Sequence, residues 1–254
     1  MALDLQTLCF IMAAGFIGSF IDATVGGGGL VTTPALLATG MPVAYAFGTN
    51  KMASAMGSFT SVWTFWQAGK INKQLVKKLV PLSFLGSALG AFVVYLLPEH
   101  LMKNIVVVCL VLVAVYTYRR KDWGDISNLR AMTKMVAALT ALLAFGLGFY
   151  DGFFGPGTGS FLIFGFLTLG YDFLTAAGNA KILNLGSGLG AFITFALAGT
   201  VYWVYALGMG VAMILGARVG AKVALAKGAS YVKPLYLVVT TLLIGKQVYA
   251  LLFQ

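Results

Sequence analysis

The stretch Gly15-Phe16-Ile17-Gly18-Ser19-Phe20-Ile21-Asp22 leads into the glycine run Gly26-Gly27-Gly28-Gly29. The pattern then returns: Phe145-Gly146-Leu147-Gly148-Phe149-Tyr150-Asp151 leads into Gly155-Pro156-Gly157-Thr158-Gly159. Further matches follow in the same order. Gly48-Thr49-Asn50-Lys51 is answered by Gly178-Asn179-Ala180-Lys181, and Ala68-Gly69 by Ala198-Gly199. Leu85-Gly86-Ser87-Ala88-Leu89-Gly90-Ala91 is answered by Leu215-Gly216-Ala217-Arg218-Val219-Gly220-Ala221. The offset is 129 residues at the aspartates and 130 at the later pairs. An ordered series at nearly one offset means duplication. The reading is repeat 1 over about 1–118, a linker over 119–133 and repeat 2 over about 134–254, within a single integral membrane domain spanning 1–254.

Composition sets the solvent. Of 254 residues, 60% are hydrophobic and 9% charged, with a mean hydropathy of +0.93. Soluble domains carry about 25% charged residues, so this chain cannot clothe a soluble globule. The 32 glycines sit inside apolar runs, as in membrane helices that pack closely. Continuous apolar runs exclude a β-barrel, which needs alternating segments. The fold class expected is an all-α polytopic membrane protein. The net charge of +10 comes from bases in short gaps between apolar runs, which reads as topology signalling and not as nucleic-acid binding. Cys9 and Cys109 lie in apolar runs and read as small hydrophobes.

A helix crossing the bilayer core needs about 20 residues. Adequate runs are Met52–Trp66 with its flanks, Leu75–Leu97, Leu101–Tyr118, Lys181–Leu197, Tyr205–Leu225 and Val232–Phe253. Each half starts differently. Leu5–Ile21 and Met135–Tyr150 are each followed by a glycine break and a short apolar segment, Leu30–Gly40 and Phe161–Gly170. Ten helical segments are expected. Short interrupted segments at matching places in two halves point to a transporter binding site.

Bases cluster in three gaps: Lys70, Lys73, Lys77 and Lys78; Arg119, Arg120, Lys121, Arg130 and Lys134; Lys222, Lys227 and Lys233. The positive-inside rule makes these cytoplasmic and both termini external. Equivalent gaps then face opposite sides. Each half is a glycine-broken helical hairpin plus three transmembrane helices, and the two are inverted-topology repeats.

The breaks expose backbone amides at a helix start, where the macrodipole favours anions. Gly27, Gly28, Gly29 and Leu30 in one half, and Gly157, Thr158 and Gly159 in the other, are candidate anion contacts; tight helix packing is the alternative reading. Asn50 and Asn184 are candidate donors. Lys51 and Lys181 open apolar spans, where a lysine ordinarily snorkels to the interface. Their recurrence at opposite faces speaks for an inward role. Asp22 and Asp151 are the acids inside apolar helices, and intramembrane acids are functional candidates. They either carry protons or cap the glycine turn that follows. Arg218 replaces Ala88 of the first half and reads as an anchor at the cytoplasmic end. The sequence offers no catalytic triad, metal cluster or redox motif, so neither enzyme nor cofactor is implied.

These residues resemble the TauE/SafE family of sulfite and organosulfonate exporters, in its YfcA-like branch. The resemblance rests on Asp22-Ala23-Thr24-Val25-Gly26-Gly27-Gly28-Gly29-Leu30, Thr33-Pro34-Ala35-Leu36-Leu37, Gly48-Thr49-Asn50-Lys51 and Gly148-Phe149-Tyr150-Asp151-Gly152-Phe153-Phe154-Gly155-Pro156-Gly157-Thr158-Gly159. It covers about Gly15 to Phe253. Gly188 departs from it, since relatives tend to have Asn there. The resemblance implies a multi-pass transporter in the cytoplasmic membrane that exports small sulfur-containing anions. Import, a passive anion channel and, last, a structural subunit are the alternatives. The implied partners are a small anionic substrate and the lipid bilayer; homo-oligomer formation stays open.

Overall fold

The computed structural model describes residues 4–102, 104–106, 108, 109, 112 and 133–253, with side chains as far as Gly228. The helices are α1 (Leu5–Val25), α2 (Gly29–Ala38), α3 (Val43–Gln67), α4 (Lys73–Leu96), α5 (Lys134–Phe153), α6 (Thr158–Thr168), α7 (Phe173–Leu197) and α8 (Trp203–Phe253). Gly228, at φ 64°, breaks α8. Residues 99–102 are helical too. Most of the expected Leu101–Tyr118 span and nearly all of the 119–133 linker lie outside the described residues. The long–short–long–long order of α1 to α4 recurs in α5 to α8.

Five helices are long and apolar enough to cross a membrane: α1, α4, α5, α7 and the Trp203–Gly228 arm of α8. At 25 residues α3 is also long enough. It is absent from that set because it carries Thr49, Asn50, Lys51, Ser54, Ser58 and Ser61 among its apolar residues.

The glycine breaks interrupt the helices as expected, and their chemistry is visible in the backbone. Gly26 and Gly27 have φ of 76° and 90°, Gly155 and Gly157 of 94° and 88°. Side chains avoid that left-handed region and glycine does not. The limits differ from the expected ones in a consistent way. α1 continues past Ile21 to Val25, and α5 past Tyr150 to Phe153. The last glycine of each break joins the first turn of α2 or α6. Helices α3 and α7 begin eight residues before Lys51 and Lys181. The small and polar residues ahead of each lysine hide that start from an apolar-run criterion, and tertiary packing supplies the stabilisation.

The halves interlock. α1 lies along α8 in the same direction, with Leu8 beside Gly208, Phe16 beside Gly216 and Phe20 beside Gly220. Reciprocally α5 lies along α4, with Gly148 beside Ser83 and Gly152 beside Ser87. A methyl group on Gly86 or Gly90 would overlap the Phe145 or Phe149 carbonyl oxygen, and one on Gly216 that of Phe16. These Gly-xxx-Gly pairs let backbones meet, the usual basis of close helix association in lipid. α3 runs parallel to α8, since Met56 meets Gly210 and Gly57 meets Met213. α7 runs parallel to α4, where the Ser83 hydroxyl donates to the Leu183 carbonyl at 3.2 Å and the Ser87 hydroxyl to that of Ser187. α3 and α7 cross in opposite senses: Gly48 meets Thr200, and Lys70, just past α3, meets Gly178.

Polarity is arranged inside out. Leu85, Leu89 and Phe92 on α4, and Leu207, Val211 and Leu215 on α8, are exposed. Thr49, Lys51, Asn179, Lys181 and Ser187 are buried. Lipid-facing apolar ridges around a polar interior are what a bilayer solvent favours.

Candidate functional site

The two glycine breaks meet in the interior. Ser160 donates its hydroxyl to the Val25 carbonyl at 3.2 Å, Gly26 abuts Gly159 and Gly29 abuts Pro156. Neither N-cap residue, Gly28 for α2 or Gly157 for α6, offers a side-chain cap. The first amides of an α-helix have no intrahelical acceptor, so two uncapped helix starts from opposite halves lie side by side.

Between them is a cavity of ≈ 50 Å³. One water needs only about 10–15 Å³ on this measure, so a small polyatomic ion fits. Its wall includes Asp22, Gly27, Gly28, Gly29, Asn50, Lys51, Asp151, Gly157, Gly159 and Asn184. The structure therefore gathers most of the residues singled out from the sequence around one space. Leu30, Thr158 and Lys181 are not in the wall. Leu30 packs in an apolar cluster with Val43 and Phe47, and Thr158 donates its hydroxyl to the Gly155 carbonyl at 2.8 Å.

The lysines do not snorkel. Lys181 is 0% exposed and Lys51 6%. Each pairs with the aspartate of the other half: Lys51 Nζ lies 2.9 Å from Asp151 Oδ1, and Lys181 Nζ lies 2.7 Å from Asp22 Oδ2. Three buried charges and the partly exposed Asp22 carboxylate thus neutralise one another in pairs, as the cost of burying an isolated ion requires. The pairs differ in access. Lys51 reaches the cavity directly, whereas Lys181 stands behind the Asp22 carboxylate, which is 21% exposed.

The acids hold more than the glycine turns. Asp22 Oδ1 accepts from the Gly28 amide at a long 3.4 Å, while its other oxygen takes Lys181. Asp151 Oδ2 accepts from the Ser187 hydroxyl at 2.7 Å. Ser19, Thr32, Ser54 and Ser58 also line the cavity. Ser54 and Ser58 follow Lys51 at helical spacing, a signal available in the sequence. Ser19 and Ser187 had none, because tertiary contact alone places them. Arg218 is exposed on the outer face of α8, away from the cavity.

The model of the family described as "Sulfite exporter TauE/SafE" matches residues 11–246. The chain belongs to the TauE/SafE family. A "Probable membrane transporter protein ORF9" of Sinorhizobium sp is 39% identical over 239 residues, covering 94% of this chain and 91% of that one. A "Probable membrane transporter protein" of Haemophilus influenzae is 35% identical over 250 residues, 98% of this chain and 97% of its own. A "Probable membrane transporter protein YfcA" of Escherichia coli K12 is 34% identical, covering 92% and 86%. No solved structure matches the chain. Coverage is nearly end to end, so both glycine breaks and both ion pairs of this TauE/SafE transporter lie within the matched region.

Proposed function

We propose that this chain is a secondary transporter that exports small sulfur-containing anions of the sulfite, thiosulfate or sulfonate class across the cytoplasmic membrane. The observation that carries the reading is the junction of two uncapped helix starts on a small interior cavity beside Lys51. Amide dipoles and a cation aimed into one small interior space suit an oxyanion. The family description supplies the sulfur chemistry.

The halves are read as inverted-topology repeats about this site. Supporting this, α1, α3 and α8 share one direction and α4, α5 and α7 the other, so the equivalent helices α1 and α5 oppose each other. Lys70, Lys73, Lys77, Lys78, Lys134, Lys222 and Lys227 then all fall at one end of the bundle, which the positive-inside rule assigns to the cytoplasm. Inverted halves around a midplane site give alternating access by rocking.

Energetics favour export. Moving one charge through the membrane potential yields about 2.3 kcal/mol per 100 mV. With the cell interior negative, a monovalent anion is held about fifty-fold below its external level, at ~1.4 kcal/mol per tenfold. No coupling ion is needed for that direction.

Counterflow of labelled sulfite in proteoliposomes tests the reading. Saturable accumulation against unlabelled internal sulfite is expected. Flux that is linear in concentration would reassign the chain to a channel. No flux and no anion-dependent stabilisation of folded protein would overturn transport of this class.

A further inference from the structure

The cavity wall contains hydrogen-bond acceptors as well as donors, and a bare anion satisfies only the donors. Asn50 is 9% exposed and lines the cavity. Its amide nitrogen stands 3.5 Å from Thr33 Oγ1, and its Oδ1 has no hydrogen-bond partner. Buried polar atoms in native proteins are paired, and an unpaired one asks for an explanation. Asn179 Nδ2 is also unpaired, but Asn179 does not line the cavity. Asp22 adds a second acceptor, with Oδ1 reached only by the long Gly28 contact. The charges facing this space are Asp22 from α1, Lys51 from α3 and Asp151 from α5, with Lys181 of α7 behind Asp22. Helices α2, α6 and α8 contribute Thr32, glycines and Met213, none of them titratable. Both lysines are already matched by carboxylates. A dianion would bring two uncompensated charges into a neutral space and leave the Asn50 and Asp22 acceptors without a donor.

We infer that the ligand is a small monoanion that keeps a hydrogen-bond donor of its own, the hydrogen sulfite form and not the sulfite dianion, with its proton directed at Asn50 Oδ1 and Asp22 Oδ1. This rests on the oxyanion reading of the site and specifies the ionic form within it. The donor-bearing oxygen meets the two acceptors; the remaining oxygens meet the glycine amides and Lys51. A site that hydrogen-bonds a ligand proton rejects the analogue without one, because its acceptors then stay unpaired.

Chlorate is the discriminating probe: it is pyramidal like sulfite, monoanionic, and carries no proton at neutral pH. Titration calorimetry on the purified full-length protein compares sulfite with chlorate on both sides of sulfite's second ionisation. Below that ionisation, sulfite is expected to bind about tenfold or more tighter than chlorate, the effect of one hydrogen bond to a charged or buried group. Above it, affinity for total sulfite falls about tenfold per pH unit, while chlorate's weak affinity stays flat. Asn50→Leu removes the preference for sulfite over chlorate, and Asp22→Asn with Lys181→Gln, which keeps an acceptor and keeps the site neutral, retains the pH slope. Equal binding of the two anions, or sulfite affinity that holds or improves as the dianion forms, overturns the inference and leaves the oxyanion site standing. Chlorate affinity that falls with pH in parallel, abolished in the Asp22→Asn, Lys181→Gln double variant, places the proton on the protein and also overturns it. Failure of both anions to bind folded protein at any pH overturns the oxyanion reading and this inference with it.

Discussion

Lys181 and Asp22 are 159 positions apart and meet at 2.7 Å across the two halves. The reciprocal pair, Lys51 and Asp151, meets at 2.9 Å. Each half supplies one cation and one anion, and each of these charges is matched by its opposite from the other half.

That reciprocity makes single and double substitutions differ. Asp22→Asn leaves the fully buried Lys181 ammonium without its counter-ion and is expected to destabilise by about 3 kcal/mol or more. Adding Lys181→Gln removes the stranded charge, and the double variant recovers at least half of the loss. Chemical unfolding in detergent measures both. Additive losses would show that the two side chains do not interact.

Lys51 is the cation that reaches the cavity among the described residues. Lys51→Gln with Asp151→Asn keeps the site neutral and keeps polar partners in place. The double variant is expected to stay folded and to bind sulfite about tenfold or more weakly, the worth of one charge-assisted contact. Calorimetry reads the affinity and a thermal melt reads the fold. Unchanged affinity would reduce Lys51 to a structural counter-ion.

Two glycines separate packing from binding. A methyl group on Gly152 would overlap the Ser87 carbonyl, whereas one on Gly188 would meet nothing within 4 Å. Gly152→Ala is expected to cost about 1–3 kcal/mol through overpacking. Gly188→Ala is expected to change stability by less than ~1 kcal/mol, in the direction set by helix propensity. Since Gly188 lines the cavity, its added methyl narrows the space and weakens sulfite binding. Thermal melts and competition binding on both variants check the pair of outcomes.

Asp172 caps the start of α7, accepting from the Thr175 amide at 3.1 Å and its hydroxyl at 2.7 Å. Burial raises the pKa of this carboxyl, but the Thr175 hydrogen bonds, Lys70 and the Leu174 amide outweigh it, so the group ionises below its ordinary range. A carboxylate with a depressed folded-state pKa contributes stability above the unfolded value and loses it as pH falls through the folded one. Asp172→Ala is therefore expected to cost about 1 kcal/mol near neutral pH, with the gap to the parent closing in acid. Melts from neutral to acidic pH test this; a gap that persists in acid would assign the loss to packing.

The repeated pattern, the helical breaks and the four charged residues of the site were legible in the sequence. Glycine is the residue that tolerates φ near +90°, so Gly26-Gly27 and Gly155-Pro156-Gly157 announce an interruption wherever they occur. Where α3 and α7 begin was not legible. Residues such as Gly48, Thr49 and Ala180 carry little hydropathy, and their helical state is decided by neighbours that bury them. The reading of Lys51 and Lys181 as residues at helix starts fails for the same reason, since both lie within the helices.

What the sequence by itself determined is local and solvent-driven: apolar length sets which segments suit a bilayer, glycine sets where they break, and spacing reveals the duplication. What only the tertiary structure decided is which half answers which. Lys51 on α3 is separated from Asp22 on α1 of its own half only by the short helix α2, yet it pairs with Asp151 of the other half. Charge type and spacing do not select between those partners. The selection comes from close glycine contacts that lay α1 on α8 and α5 on α4. A buried ion pair exists only where the packing of whole helices brings its two members within hydrogen-bonding reach.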